Sequence, residues 1–225
     1  MSASGLTIAA VTIDAAHLHL RLADGRTLHE PLRRHIRLAQ ATPEQRFGWQ
    51  LVDDGHGLAW PQLCPPSADG MVNVFPLLWD QLYESAVVRL QCADWELDAL
   101  APRDRELTAL WRMRTDIANA GFMQFFCNWG DITCQIAIAA LGRIGAESTQ
   151  AILSQMRGVL GRIENDPAAS LDDIHARLST VENEKLEALD QAFRSSPDRL
   201  ARIGVLHYGA PDPVRAQAAW AAYGR

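Results

Sequence analysis

The period at which apolar residues recur changes once along this chain, and that change divides it. Up to about residue 65 they alternate: Val11 and Ile13, then Leu18, Leu20 and Leu22. Alternation puts one face of a strand in a core and the other in water. From about Asn73 onward they recur at three and four instead. Trp79, Tyr83, Ala86, Val87 and Leu90 form one such stripe, and Leu107, Leu110, Trp111, Ile117 and Ala118 a second. Ile152, Leu153, Met156, Val159, Leu160 and Ile163 form a third. These are the stripes of amphipathic helices. The expected fold class is α+β. A small hairpin-rich domain spans residues 1–68, a linker 69–75, and a larger all-helical domain 76–225. With 225 residues the chain is long enough for two domains with real cores.

Turn chemistry fills in the elements. Asp24-Gly25 sits between two alternating runs, a strong hairpin signal because glycine supplies the positive φ the turn needs. A short helix is expected over 31–40. A second hairpin is expected from Trp49–Val52 and Leu58–Trp60, joined by Asp53-Asp54-Gly55-His56-Gly57. Cys64-Pro65-Pro66-Ser67 and Asp69-Gly70 then read as a linker. No strand is expected after residue 70. Pro76 can sit in the first turn of a helix, and Ser170 can cap another carrying Asp172 and Asp173. Leu186, Leu189 and Phe193 mark a further helix. Ser196-Pro197-Asp198 is expected to start a short one that Gly204 ends, leaving His207-Tyr208-Gly209 in a loop. Asp212-Pro213 is expected to start the last, with Trp220 and Tyr223 on it.

One segment has a texture of its own. Residues 119–131 read Asn-Ala-Gly-Phe-Met-Gln-Phe-Phe-Cys-Asn-Trp-Gly-Asp. Asn and Gly tolerate left-handed backbone at helix ends. The segment is therefore read as a helix, a break near Asn119 and Gly121, a short aromatic helix, and a second break over Asn128–Asp131. The ordinary reading is an aromatic-rich core hinge of Phe122, Phe125 and Phe126, with Asn119 and Asn128 satisfying backbone at the helix ends. The alternative is a site around Asn119, Gln124, Asn128 and Asp131.

This segment, followed by Ala140-Leu141 and Ile144-Gly145-Ala146, resembles the signature of the bacterial DNA-mimic-protein-like helical domain family. The signature residues are Asn119, Gly121, Phe122, Gln124, Phe125, Phe126, Asn128, Gly130 and Asp131, with Ala120 where that family commonly has Gly. The resemblance covers roughly 75–225, with the specific match confined to about thirty residues. It implies an all-helical fold and a role as a DNA mimic that occupies a transcription factor or nucleoid protein. Residues 1–68 resemble a small bacterial domain of unknown function, family 2442, through Leu18-His19-Leu20-Arg21-Leu22-Ala23-Asp24-Gly25-Arg26 and Gly57-Leu58-Ala59-Trp60-Pro61. That resemblance implies protein–protein contact, of an adaptor or of an immunity or antitoxin module.

Charge placement bears on the first of these. The net charge of −6 excludes a generally basic nucleic-acid binder. Residues 1–70 hold seven acids and six bases, whereas 164–198 hold nine acids and three bases, a net −6 equal to the whole excess. The candidate partner-binding face comprises Glu164, Asp166, Asp172, Asp173, Glu182, Glu184, Glu187 and Asp190. With Leu186, Leu189 and Phe193 inward, Glu184 and Glu187 point outward and Asp190 lies at the margin. A solvated helix face is the ordinary alternative.

Catalysis is not expected. No G-x-S-x-G, P-loop, G-x-G-x-x-G or H-E-x-x-H occurs. Cys64, Cys92, Cys127 and Cys134 form no C-x-x-C pair, so no metal and no cofactor are expected. His17 and His19 share a strand face and are expected in solvent. No apolar run approaches the length of a membrane span, and Met1–Ala10 lacks the basic region of a secretory leader. The expectation is a cytoplasmic, non-enzymatic protein-binding regulator, without direct contact to nucleic acid or membrane and with homodimerisation allowed for.

Overall fold

A computed structural model describes residues 3–164 and 174–209. The chain divides into two compact units. One is Met1–Gln81 together with the segment from Gly204 onward, and the other is Leu82–Ile203. The α+β class holds, with strands at the N-terminal end and helices after them.

The first unit is built on two antiparallel three-stranded sheets. β1 (Ile8–Ile13), β2 (His17–Leu22) and β3 (Thr27–Pro31) pair in that order. The β2–β3 turn is the expected Asp-Gly turn, with Gly25 at φ 90°. Leu18, Leu20 and Leu22 are buried, so the alternation was a true guide to the core face. Two short helices follow, α1 (Ile36–Gln40) and α2 (Pro43–Phe47). Thr42 caps α2 in a capping box: its side chain accepts from the Gln45 N–H while Gln45 reaches back to the Thr42 N–H. β4 (Gln50–Val52), β5 (Gly57–Ala59) and β6 (Val72–Asn73) make the second sheet. The β4–β5 hairpin was expected, and β6 was not. Two residues are too few to show a period, and β6 forms because Val72 and Asn73 reach back to Leu58 and Gly57. Residues 69–75 therefore hold a strand and the first turn of a helix.

That helix, α3 (Val74–Cys92), runs from the first unit into the second. Within the first unit Phe75 and Trp79 are buried on it. The end of α9 (Leu200–Tyr208) packs there as well, with the Tyr208 ring 6.5 Å from Trp79. Gly204 does not end this helix as expected. It lies in its interior, where a Cβ would collide with the Trp79 indole. The glycine is there for close approach, a role that looks the same in sequence as a helix stop. For the same reason His207 and Tyr208 lie in the last turn of α9 and not in a loop.

The second unit is helical. α4 (Pro102–Ala120) and α5 (Phe122–Ile144) are followed by α6 (Glu147–Glu164), α7 (Ile174–Arg177) and α8 (Thr180–Arg194). Arg89 of α3 binds Asp104 of α4 through two contacts, Nη2–Oδ1 at 2.7 Å and Nε–Oδ2 at 2.6 Å. α5 ends at Gly145 in left-handed backbone, and the Ala146 N–H returns to the Leu141 carbonyl. The expected capping Ser170 and the expected helix from Asp212 lie outside the described residues.

Candidate functional site: a broken helix and an acidic helix

The signature segment is the junction of α4 and α5. Gly121 has φ 90° and ψ 177°, a backbone region open essentially to glycine alone. The chain leaves α4 there and re-enters helix at Phe122. Gly130, at φ 71° and ψ 178°, interrupts α5 a second time. Both expected breaks are present, separated by eight residues. Phe122, Phe125 and Phe126 are buried, with the Phe122 ring 6.2 Å from Phe125 and 5.8 Å from Phe126. Asn119 is exposed.

Gln124 and Asn128, together with Trp129, converge on a residue that the sequence reading missed. Asp116, on the last turn of α4, is buried. Its Oδ2 accepts from Asn128 Nδ2 at 3.0 Å and from Trp129 Nε1 at 2.7 Å, and its Oδ1 from Gln124 Nε2 at 3.4 Å. The Arg112 guanidinium, one turn earlier, lies 3.8 Å from the Trp129 ring centroid, a cation–π contact. Burial draws the Arg112 pKa down while the Asp116 charge pushes it back. One carboxylate thus gathers three donors from the aromatic segment. The signal available in sequence was Asp116 itself, an acid on the apolar stripe between Met113 and Ile117.

Asp131 does a second task of the same kind. Arg157 on α6 holds it with Nε–Oδ1 at 2.5 Å and Nη2–Oδ2 at 2.9 Å, and Gln135 also donates to it. The signature therefore splits between packing and fastening. Gln124, Asn128 and Asp131 tie α5 to its neighbours α4 and α6.

The acidic segment is narrower than its composition. Among its described acids only Glu184 and Glu187 stand exposed on α8, as the helical period required, with Leu186, Leu189 and Phe193 buried behind them. Glu182 closes the α8 capping box: Ser179 Oγ accepts from the Glu182 N–H, and Glu182 Oε2 accepts from the Ser179 N–H at 2.8 Å. Asp190 is a fastener. Its Oδ1 accepts from the Phe122 N–H at 2.9 Å, and its carboxyl occupies the space where a Gly121 Cβ would stand. Burial raises the Asp190 pKa above the usual carboxylate range, and the Phe122 hydrogen bond only partly opposes this. Asp198 accepts from the Thr149 N–H at 2.6 Å in the first turn of α6. The side chain of Glu164, and Asp166, Asp172 and Asp173 entirely, lie outside what is described.

A family model described as DMP19-like protein matches residues 98–210, which contain both breaks, the Asp116 cluster and α8. A second, described as a protein of unknown function (DUF2442), matches residues 8–65, which contain β1 to β5. Neither a curated protein nor a solved structure matches the chain.

Proposed function

The chain belongs to the DMP19-like protein family, and from that membership we propose that it acts without chemistry, by binding another protein. The acidic face of α8 is the contact. Its partner is a basic DNA-binding protein, a transcription factor or a nucleoid protein, whose DNA groove it occupies. The observation that carries this is the pair Glu184 and Glu187. They stand exposed on a helix pinned from behind by Asp190 and by its buried apolar stripe. A fixed row of carboxylates stands in for phosphates because a DNA-binding surface is drawn to any ordered array of negative charge.

The test is the full-length chain with both residues reversed, Glu184→Lys and Glu187→Lys, against a nucleoid protein. Affinity for that protein should fall, and its dependence on salt should flatten. Unchanged affinity and unchanged salt slope would exclude the face. Turnover of a small molecule at a rate unaffected by these changes would exclude the non-enzymatic reading as well.

A second reading makes the first unit the contact, as an adaptor. Ile36, Phe47 and Leu51 favour it, because all three are large, apolar and exposed. A partner captured by the unaltered chain and lost on Phe47→Asp, with α8 unchanged, would select it.

A further inference from the structure

A cleft in the first unit takes its shape from the turn between β1 and β2. Asp14 Oδ1 accepts from the Ala16 and His17 N–H groups at 2.7 Å, which folds the chain back on itself. The Ala16 carbonyl then accepts from the Leu32 N–H at 2.8 Å, tying that turn to the 3-10 turn Leu32–Arg34 after β3. Across from it, Arg46 of α2 reaches the end of α1. Its Nε donates to the Leu38 carbonyl at 3.0 Å and its Nη2 to the Ala39 carbonyl at 2.9 Å. Between these elements a half-open cleft of about 260 Å³ remains. Ala15, Ala16, Pro31, Leu32 and Ala39 give it apolar walls.

The polar part of the lining is entirely basic: His17, Arg33 and Arg46. His17 and His19 were expected in solvent, yet both are half-buried, and His17 belongs to this cleft. The two carbonyls hold the Arg46 guanidinium in place and leave its Nη1 without an acceptor among the described residues. Arg33 makes no side-chain hydrogen bond and no ion pair among them either. Its neighbour Arg34 differs, being drawn to Glu30 at 3.4 Å. The carboxylates close by in the chain are occupied. Asp14 Oδ2 lies 2.8 Å from His19 Nε2, and Glu30 is shared by Arg34 and His35. Two guanidinium groups, charged at any ordinary pH, thus face one cleft with no acid on its walls.

We propose that this cleft binds a carboxylate carried on an aliphatic body the size of one residue. The planar fork of a guanidinium matches the two oxygens of a carboxylate, and a fixed guanidinium loses little freedom in taking it. The apolar walls select the rest of the ligand, because they reward hydrocarbon and offer nothing to the outer oxygens of a phosphate. The volume lies just below the roughly 300–1,000 Å³ of ordinary ligand pockets, which suits a single residue and excludes a nucleotide. Because the cleft is half-open, the carboxylate can belong to a free acid or to the last residue of a chain that leads out to solvent. The site uses no residue of α8.

Nuclear magnetic resonance of the isotope-labelled full-length chain reads this site through the amides of Ala15, Ala16, Arg33 and Ala39. The probes are isovalerate and N-acetylvaline. At least one should shift these amides saturably, with a dissociation constant on the order of 1 mM. Tighter binding of N-acetylvaline assigns the cleft to a chain's C-terminal residue, and tighter binding of isovalerate assigns it to a free acid. N-acetylvalinamide, which carries no charge, should shift nothing, and inorganic phosphate should bind about tenfold more weakly than the acids. Arg33→Gln should weaken binding about tenfold. Ala39→Leu keeps both guanidinium groups but fills the cleft, and should abolish the shifts. Arg21→Gln, on β2 and outside the cleft, should leave the affinity unchanged. All three substituted positions are exposed, and unaltered thermal unfolding of each variant confirms that the unit is intact. The proposal is overturned if neither acid gives a saturable shift, if N-acetylvalinamide or phosphate binds as tightly as the acids, or if Ala39→Leu has no effect. Equal weakening by Arg33→Gln and Arg21→Gln would overturn it too, because general charge would then account for the binding.

Discussion

Replacing Gly121 with alanine tests the α4–α5 junction, because two separable costs meet there. The first is conformational. At φ 90° and ψ 177° an alanine is strained by about 1–3 kcal/mol. The second is steric and electrostatic. The new Cβ would enter the space of the Asp190 carboxyl, which must swing away and release the Phe122 N–H. Leaving that donor unpaired beside buried Phe122 and Phe125 costs a further ~1–3 kcal/mol. The sum, roughly 2–6 kcal/mol, is a large part of the stability of an ordinary domain. Gly130 supplies the control. Its backbone is almost the same, φ 71° and ψ 178°, but an added Cβ meets nothing within 4 Å. Gly130→Ala should therefore cost only the conformational part. Urea unfolding followed by tryptophan fluorescence measures both, and hydrogen exchange at the Phe122 amide reads the local bond directly. In an Asp190→Ala background the cost of Gly121→Ala should drop to that of Gly130→Ala. Equal costs for the two glycines in the unaltered chain, or strict additivity of Gly121→Ala with Asp190→Ala, would refute the role given to Asp190.

Three further outcomes follow from the same geometry. Burial raises the Asp190 pKa above its unfolded value, so the native state holds that proton more tightly. The contribution to stability is then fully present below the unfolded pKa and is lost as pH rises through the raised one. Asp190→Asn, which can still accept from the Phe122 N–H, should remove this slope when urea unfolding is compared across the acid range. A difference of opposite sign, with the unaltered chain gaining more stability than Asp190→Asn as pH rises, would contradict the assignment. Asp116→Ala should cost about 2–3 kcal/mol and shift Trp129 fluorescence, because Gln124, Asn128 and Trp129 lose a shared acceptor. Gly204→Ala, which in a free helix would stabilise by up to about 1 kcal/mol, should instead lower the melting temperature, because its methyl meets Trp79.

The elements that sequence revealed are those set by local rules. The leucine alternation of β2, the Asp24-Gly25 turn and the outward Glu184 and Glu187 follow from period and turn chemistry within a few residues. The two breaks of the signature were legible because glycine marks unusual backbone. What escaped depends on partners far away in the chain. Asp190 was placed at the margin of a solvent face because nothing on α8 shows that its partner is the amide of Phe122, 68 residues earlier. Asp116 was passed over because an acid near the end of a helix looks solvated until donors eight to thirteen residues on fold back over it. Gly204 was misread because a glycine that admits an indole and a glycine that stops a helix are the same letter. β6 was missed because its hydrogen bonds, and no period of its own, define it.

That last strand lies outside both matched ranges of the chain. The N-terminal family match closes at residue 65, yet the sheet containing β5 is completed by residues 72–73, immediately before α3. A gene encoding only the matched portion would yield a β5 with an open edge: a row of bare amides and carbonyls able to recruit any extended peptide or to seed aggregation. In the present chain Val72 and Asn73 close that edge. Val72 and Asn73, seven and eight residues past the end of that match, thus finish a sheet that the matched portion by itself leaves open.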